Sequence, residues 1–206
     1  MSLLKSLTNA FLCRFPLVPL ADRVGRLRLD RFIELAWRLA RADQMRRLHP
    51  AEICQAERVF GPLFPFEDVR VYENSPFASF LVSLSNRVHL SQEKGLGVTV
   101  FNTIHFSIDF EPHNADMPWL IHELTHVWQY RNHGPRYLVE ALQAQAKLGH
   151  AAYDIQEGLS KNWPWERFNP EQQADLARAF YKALAQNKNT DPFQPYFGIL
   201  HNSNQV

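Results

Sequence analysis

The spacing of apolar and polar residues changes period several times along the chain. From about Asp30, the run R-F-I-E-L-A-W-R-L-A-R-A places Phe32, Leu35, Ala36 and Leu39 at helical intervals. This predicts an amphipathic helix with an arginine-rich outer face. Residues 1–20 ahead of it read as irregular, closed by Pro16 and Pro19. Pro50 opens a second helix over 50–60, because proline is tolerated in a first turn. The character then shifts: G-P-L-F-P-F-E-D-V-R-V-Y-E carries turn signals followed by a short strand at about 69–73. The run V-T-V-F-N-T-I-H-F-S-I-D-F, 98–110, ends in strict alternation. Ile104, Phe106, Ile108 and Phe110 share one face, and His105, Ser107 and Asp109 the other. That pattern predicts a strand with one face on the core and one in water.

Helical spacing returns after the loop E-P-H-N-A-D, where Asp116 is suited to cap a helix running to about Tyr130. His133, Gly134 and Pro135 stop it, and a further helix follows over about 136–149. Asn169 and Pro170 open a last long helix, 170–187, and a tail rich in Asn, Gln and Pro is expected to be irregular. No internal repeat interrupts this order. The expected class is α+β, with an N-terminal helical segment (1–65), a main domain (66–190) and an irregular tail (191–206).

Composition narrows the options. The chain has 206 residues, 46% of them hydrophobic, with 15 Phe and 5 Trp to fill a core. A net charge of +1 gives no electrostatic case for nucleic acid. Arg38, Arg41, Arg46 and Arg47 make the N-terminal third locally basic, with acids interleaved. Cys13 and Cys54 form no CxxC pair, which fits a reducing compartment. Lys5 and Arg14 break the apolar start, so a signal peptide is not expected, and no stretch is long enough to span a bilayer. The expectation is a cytoplasmic protein, with signal-independent export left open.

The chemistry concentrates in W-L-I-H-E-L-T-H-V-W-Q-Y, Trp119 to Tyr130. His122 and His126 are one helical turn apart on one face, so both imidazoles can bind one tetrahedral zinc ion at about 2.0–2.1 Å. Glu123 projects beside them as a general base for a water whose pKa the metal lowers. Leu120, Ile121, Leu124, Val127 and Trp128 flank the motif, so this helix is largely buried. Burying two histidines and a glutamate without partners is costly, and a shared metal accounts for all three. The competing reading is a core helix whose histidines bond to backbone or carboxylates.

The H-E-x-x-H string resembles the zincin metallopeptidases, and H-E-L-T-H-V-W-Q is similar to zincin-like domains of bacterial proteins associated with contractile injection and Vgr-type secretion systems. The resemblance covers about 70 to 185. It implies a small sheet whose edge strand runs beside the motif helix and pairs with extended substrate. Thr103, His105 and Ser107 would then line the peptide. The metzincin extension is excluded, because Gln129 and Asn132 stand where that pattern needs Gly and His. The gluzincin pattern takes a Glu from a later helix, and E-Q-Q-A-D resembles its E-x-x-A-D element. Carried over, Glu171 is the third ligand and Asp175 supports His122 or His126. Glu140, on the helix after Gly134, is the alternative ligand. The stripe Glu171, Asp175, Arg178 and Lys182 also fits a solvated, salt-bridged face. Tyr137, Tyr153, His133 and Arg136 are candidates to stabilise an oxyanion.

The resemblance thus implies a zinc-dependent metallopeptidase acting on peptide or protein. Its rival is a non-catalytic zincin-like domain that keeps the metal for stability or assembles with a secretion or injection system.

Overall fold

The computed structural model describes residues 17–80, 97–108 and 117–202. In chain order the helices are α1 (Leu17–Arg26), α2 (Leu29–Ala40), α3 (Pro50–Phe60), α4 (Met117–His133), α5 (Arg136–Leu148), α6 (Gln156–Ser160), α7 (Pro170–Ala185) and α8 (Gln194–Asn202). The strands are β1 (Arg70–Tyr72), β2 (Gly97–Val100) and β3 (Thr103–Phe106). They form one sheet in the order β1-β3-β2. β1 runs parallel to β3, with Val71 opposite Ile104, and β2 runs antiparallel to β3, with Thr99 opposite Ile104. The architecture is α+β. No helix among the described residues is long and apolar enough to cross a membrane.

α4 is the central element. Every residue from Leu120 to Tyr130 is buried, against α7 on one side and β2, α3 and α5 on others. A helix apolar around its whole circumference has no solvent face, and any polar side chain on it must find a partner inside. The surrounding core joins Val59 and Phe60 of α3, Ile104 and Phe106 of β3, Leu120 and Leu124 of α4, Leu176 and Phe180 of α7, and Leu200 of α8.

Several expectations are corrected. The alternating run is not one strand: Phe101, at φ 58°, turns the chain and makes β2 and β3 a hairpin. The strand carrying Thr103 and His105 is therefore central, paired on both sides, and not the edge; Ser107 lies just past its end. Neither face of β3 is wet, because the rings of Trp37, Tyr72 and Phe77 cover His105. Asp109, Phe110 and the Asp116 cap lie outside the described residues.

α1 forms where irregular chain was expected; Pro19 falls within its first turn, where a missing N–H leaves no helical bond unmade. The tail is helical at α8 because Tyr196 and Leu200 bury themselves in the core. α2 forms as expected but is turned over. Asp30 and Glu34 face inward, while Phe32, Leu35 and Leu39 are exposed. Tyr130 donates to Asp30 Oδ2 at 2.6 Å, and Asn102 donates its backbone N–H and side-chain amide to the two oxygens of Glu34. These long-range polar partners select the inward face.

His105 supplies a pH prediction. Burial pushes its pKa down to about 4, and Ser75 Oγ lies 3.0 Å from Nδ1. Its ordinary value is near 6.5, so between these two pH values the unfolded chain binds the extra proton. Stability is then complete above about pH 6.5 and falls on acidification toward pH 4, by on the order of 3 kcal/mol. An NMR titration of the His105 ring should have its midpoint below pH 5. A midpoint near 6.5 would show that the ring is not desolvated.

Candidate metal centre

Two helices bring the donors together. On α4, His122 and His126 follow each other by one turn. On α7, the first turn is set by Asn169, whose Oδ1 accepts from the N–H groups of Glu171 (2.9 Å) and Gln172 (3.0 Å), while Gln172 Oε1 reaches back to Asn169 N. This cap places Glu171 at the head of α7, with Asp175 one turn further on the same face. Glu171 is 2% exposed and both histidines 6%.

Three donor atoms converge. Glu171 Oε2 lies 3.3 Å from His122 Nε2 and 3.6 Å from His126 Nε2, and all three ligand atoms lie within 4.8 Å of one another. Those separations exceed the ordinary N–H···O range of about 2.7–3.2 Å. They match the edge of a tetrahedron with metal–ligand bonds of about 2.0–2.1 Å, which is about 3.3 Å. The three residues could hold a metal ion.

The outward atoms are all held. His122 Nδ1 is 2.8 Å from Asp175 Oδ1, and Arg178 donates to Asp175 Oδ2 at 2.7 Å. His126 Nδ1 is 2.7 Å from Gln129 Oε1. The Gln129 amide in turn donates to Pro170 O and Gln173 Oε1, both at 2.9 Å. Gln145 donates to Glu171 Oε1 at 2.8 Å, which leaves Oε2 for the cluster. Each imidazole therefore has its Nδ1 engaged by an oxygen acceptor and its Nε2 aimed at the cluster, the arrangement in which Nε2 could bind a metal.

Electrostatics follow from this crowding. Burial lowers the His122 pKa, but the Asp175 bond and the charges of Glu171 and Glu123 outweigh it and raise the value to about 10. The His126 pKa is raised against the same burial by Glu171. Burial raises that of Glu171, yet His126 and His122 hold it far below the usual carboxylate range. These shifts favour the ion-paired form of the cluster when no metal is bound, and a bound cation would take the place of the proton at Nε2.

Glu123 stands beside the cluster, 3% exposed. Thr99 of β2 donates to its Oε2 at 2.8 Å, and a Cβ built on Gly97 would collide with its other oxygen and with Trp119 Nε1. Glycine at 97 thus lets β2 approach α4 closely. Tyr137 packs its ring on that of His126 at 6.0 Å and donates its hydroxyl to Thr99 O at 2.8 Å. Tyr153, half-buried, lies 6.0 Å ring to ring from His122.

Other candidates are elsewhere. Glu140 is on the outer side of α5, paired with Arg136 at 2.7 Å. His133 sits against Trp128, and Thr103 and His105 lie within the sheet. Cys54 is a free, exposed thiol, and Cys13, His89 and His113 fall outside the described residues. Trp165 is core, and Trp163 packs against it under the Arg167 guanidinium. Sequence reasoning missed Thr99, Gly97, Gln129 and Gln145. Only Gln129 had a positional signal, one turn after His126.

Because Asp175 orients the His122 ring, Asp175→Asn should weaken zinc binding by about 10–100-fold. Competition with a chromogenic chelator measures it. An unchanged affinity would mean that the Asp175 bond plays no part in holding the metal.

Comparisons with protein-family models, curated proteins and solved structures give no match.

Proposed function

We propose that this protein is a zinc-dependent peptidase with a zincin-like site: His122, His126 and Glu171 hold the metal and Glu123 is the general base. The observation that carries this reading is the convergence of three buried donor atoms on one point, with Glu171 Oε2 3.3 Å and 3.6 Å from the two imidazole nitrogens, a spacing that suits a shared ion. Three protein ligands are also the number that leaves a catalytic zinc one position for water or substrate.

Zinc at this centre would acidify a coordinated water and polarise the scissile carbonyl. Glu123 accepts the proton of the attacking water and passes it to the leaving amine. Thr99 holds the Glu123 carboxylate in one orientation while it does so. β2, which lies next to α4 and is at the edge of the sheet among the described residues, is the strand on which an extended peptide would lie, in place of β3. Tyr153, whose ring lies 6.0 Å from that of His122, is the residue we propose for the developing oxyanion. A peptide-library or casein digestion, with and without a zinc chelator, tests the activity. Absence of chelator-sensitive cleavage by the zinc-loaded protein would overturn it.

One observation favours a second reading. His122, Glu123, His126 and Glu171 are all 6% exposed or less, as in a metal centre that serves stability or assembly, for instance within a secretion or injection system. The two readings separate on cleavage and on whether a fourth protein atom closes the zinc.

A further inference from the structure

We propose that the α1–α2 hairpin is a docking surface for an anionic lipid bilayer, which it meets with α2 lying along the headgroup region. The hairpin is built opposite to a globular helix pair. Of α2, the polar stripe Asp30, Glu34 and Arg38 faces the body, held by Tyr130, by Asn102 and by the carbonyl of Asp68. α1 is seated by Gly25, where a Cβ would come within 3.0 Å of Pro135. These contacts leave the apolar side outward: Leu29, Phe32, Ile33, Leu35 and Leu39 of α2 are all exposed, as are Leu20 of α1 and Leu27 in the turn between the helices. An outward apolar face of this size, on a helix anchored by its polar stripe, marks an interaction site.

Charge chooses the partner. Residues 17–47 hold eight arginines against four acids, while the rest of the chain is acidic on balance. Asp30 and Glu34 are buried, whereas Arg23, Arg26, Arg28, Arg31, Arg41 and Arg47 are exposed. Arg26 and Arg28 make no side-chain hydrogen bond or ion pair among the described residues, and Arg31 has an electrostatic contact with Tyr130. The hairpin thus shows solvent an apolar strip rimmed by cations, with Trp37 at its margin, 39% exposed. That combination fits the boundary between acyl chains and anionic headgroups. At 12 residues, α2 is about 18 Å long and lies along the surface rather than across it.

The test is co-sedimentation of the full chain with vesicles of phosphatidylcholine alone and of phosphatidylcholine with phosphatidylglycerol. The expected result is binding to the anionic vesicles, weakened by salt, with little binding to the neutral ones. The triple variant Phe32→Ser, Leu35→Ser, Leu39→Ser should reduce binding more than about tenfold. Its melting temperature and zinc content should not change, because these side chains are exposed. Arg31→Glu should weaken binding by roughly fivefold or more. The proposal is overturned if wild type ignores anionic vesicles, or if the triple variant binds as well as wild type. It is also overturned if the face proves to be covered otherwise. A dimer in sedimentation velocity that the triple variant abolishes would assign it to a second copy. Shielding of Trp37 from acrylamide that disappears on deleting residues 1–16 would assign it to that segment.

Discussion

A Glu123→Gln variant should keep its zinc and its fold and lose peptide hydrolysis by about 10²–10⁴-fold, the span a positioned general base contributes. The substitution is nearly isosteric, and the Gln side-chain oxygen can still accept from Thr99, which donates to Glu123 Oε2 at 2.8 Å. What is lost is the carboxylate's capacity to take a proton. Metal content should be unchanged, because the donor atoms belong to His122, His126 and Glu171. Metal analysis and a fluorogenic peptide assay on the same sample check both halves. Full activity in the variant would remove Glu123 from the mechanism. Loss of metal together with activity would mean that Glu123 is itself a ligand.

The second large effect is on the metal. Glu171→Gln should lower zinc affinity on the order of 10³-fold, taking a share of the roughly 10–16 kcal/mol that zinc sites provide. Wild type should melt higher when zinc is added, by the equivalent of about 4 kcal/mol at a concentration 1,000 times the dissociation constant. The variant should lose most of that gain. Glu171 is the buried carboxylate within reach of both imidazoles, at 3.3 and 3.6 Å, so no neighbour replaces it among the described residues. Calorimetry with and without zinc measures this. An equal gain in both proteins would place the metal elsewhere. A matching Glu140→Gln variant should behave as wild type, since Glu140 pairs with Arg136 on the surface of α5.

The donors could be read from sequence because helix geometry is local. His122 and His126, and likewise Glu171 and Asp175, are each one turn apart, and that spacing places both members of a pair on one face in any fold. What sequence could not say was whether the Glu171 face meets the site or the solvent; the packing of α4 on α7 decides it. Of the glutamines that hold the donors, Gln145 follows no spacing and is visible only in three dimensions, and Gln129 is marked only by its place one turn after His126.

The sheet and the N-terminal helices show the opposite case. Residues 98–106 contain no glycine or proline, and the lapse of alternation over Val100 to Thr103 is the one local mark of the turn that Phe101 makes in a left-handed conformation. The hairpin makes β3 the central strand and puts β2 at the edge among the described residues, which moves the proposed peptide-binding strand. Amphipathicity predicted that α2 has two faces. It could not predict which one the body takes, because the partners that select Asp30 and Glu34, Tyr130 and Asn102, lie 100 and 68 residues away. The tail shows the same limit: its composition reads as loop, but Tyr196 and Leu200 find a core to enter.

The central claim is that these residues form an open, three-ligand zinc centre. X-ray absorption spectroscopy of the zinc-loaded protein tests it most directly. The predicted result is one zinc per chain with two imidazole nitrogens and carboxylate oxygen from the protein, plus one exchangeable light-atom ligand, all near 2.0–2.2 Å. A shell closed by four protein ligands, or a protein that takes up no zinc, would contradict it.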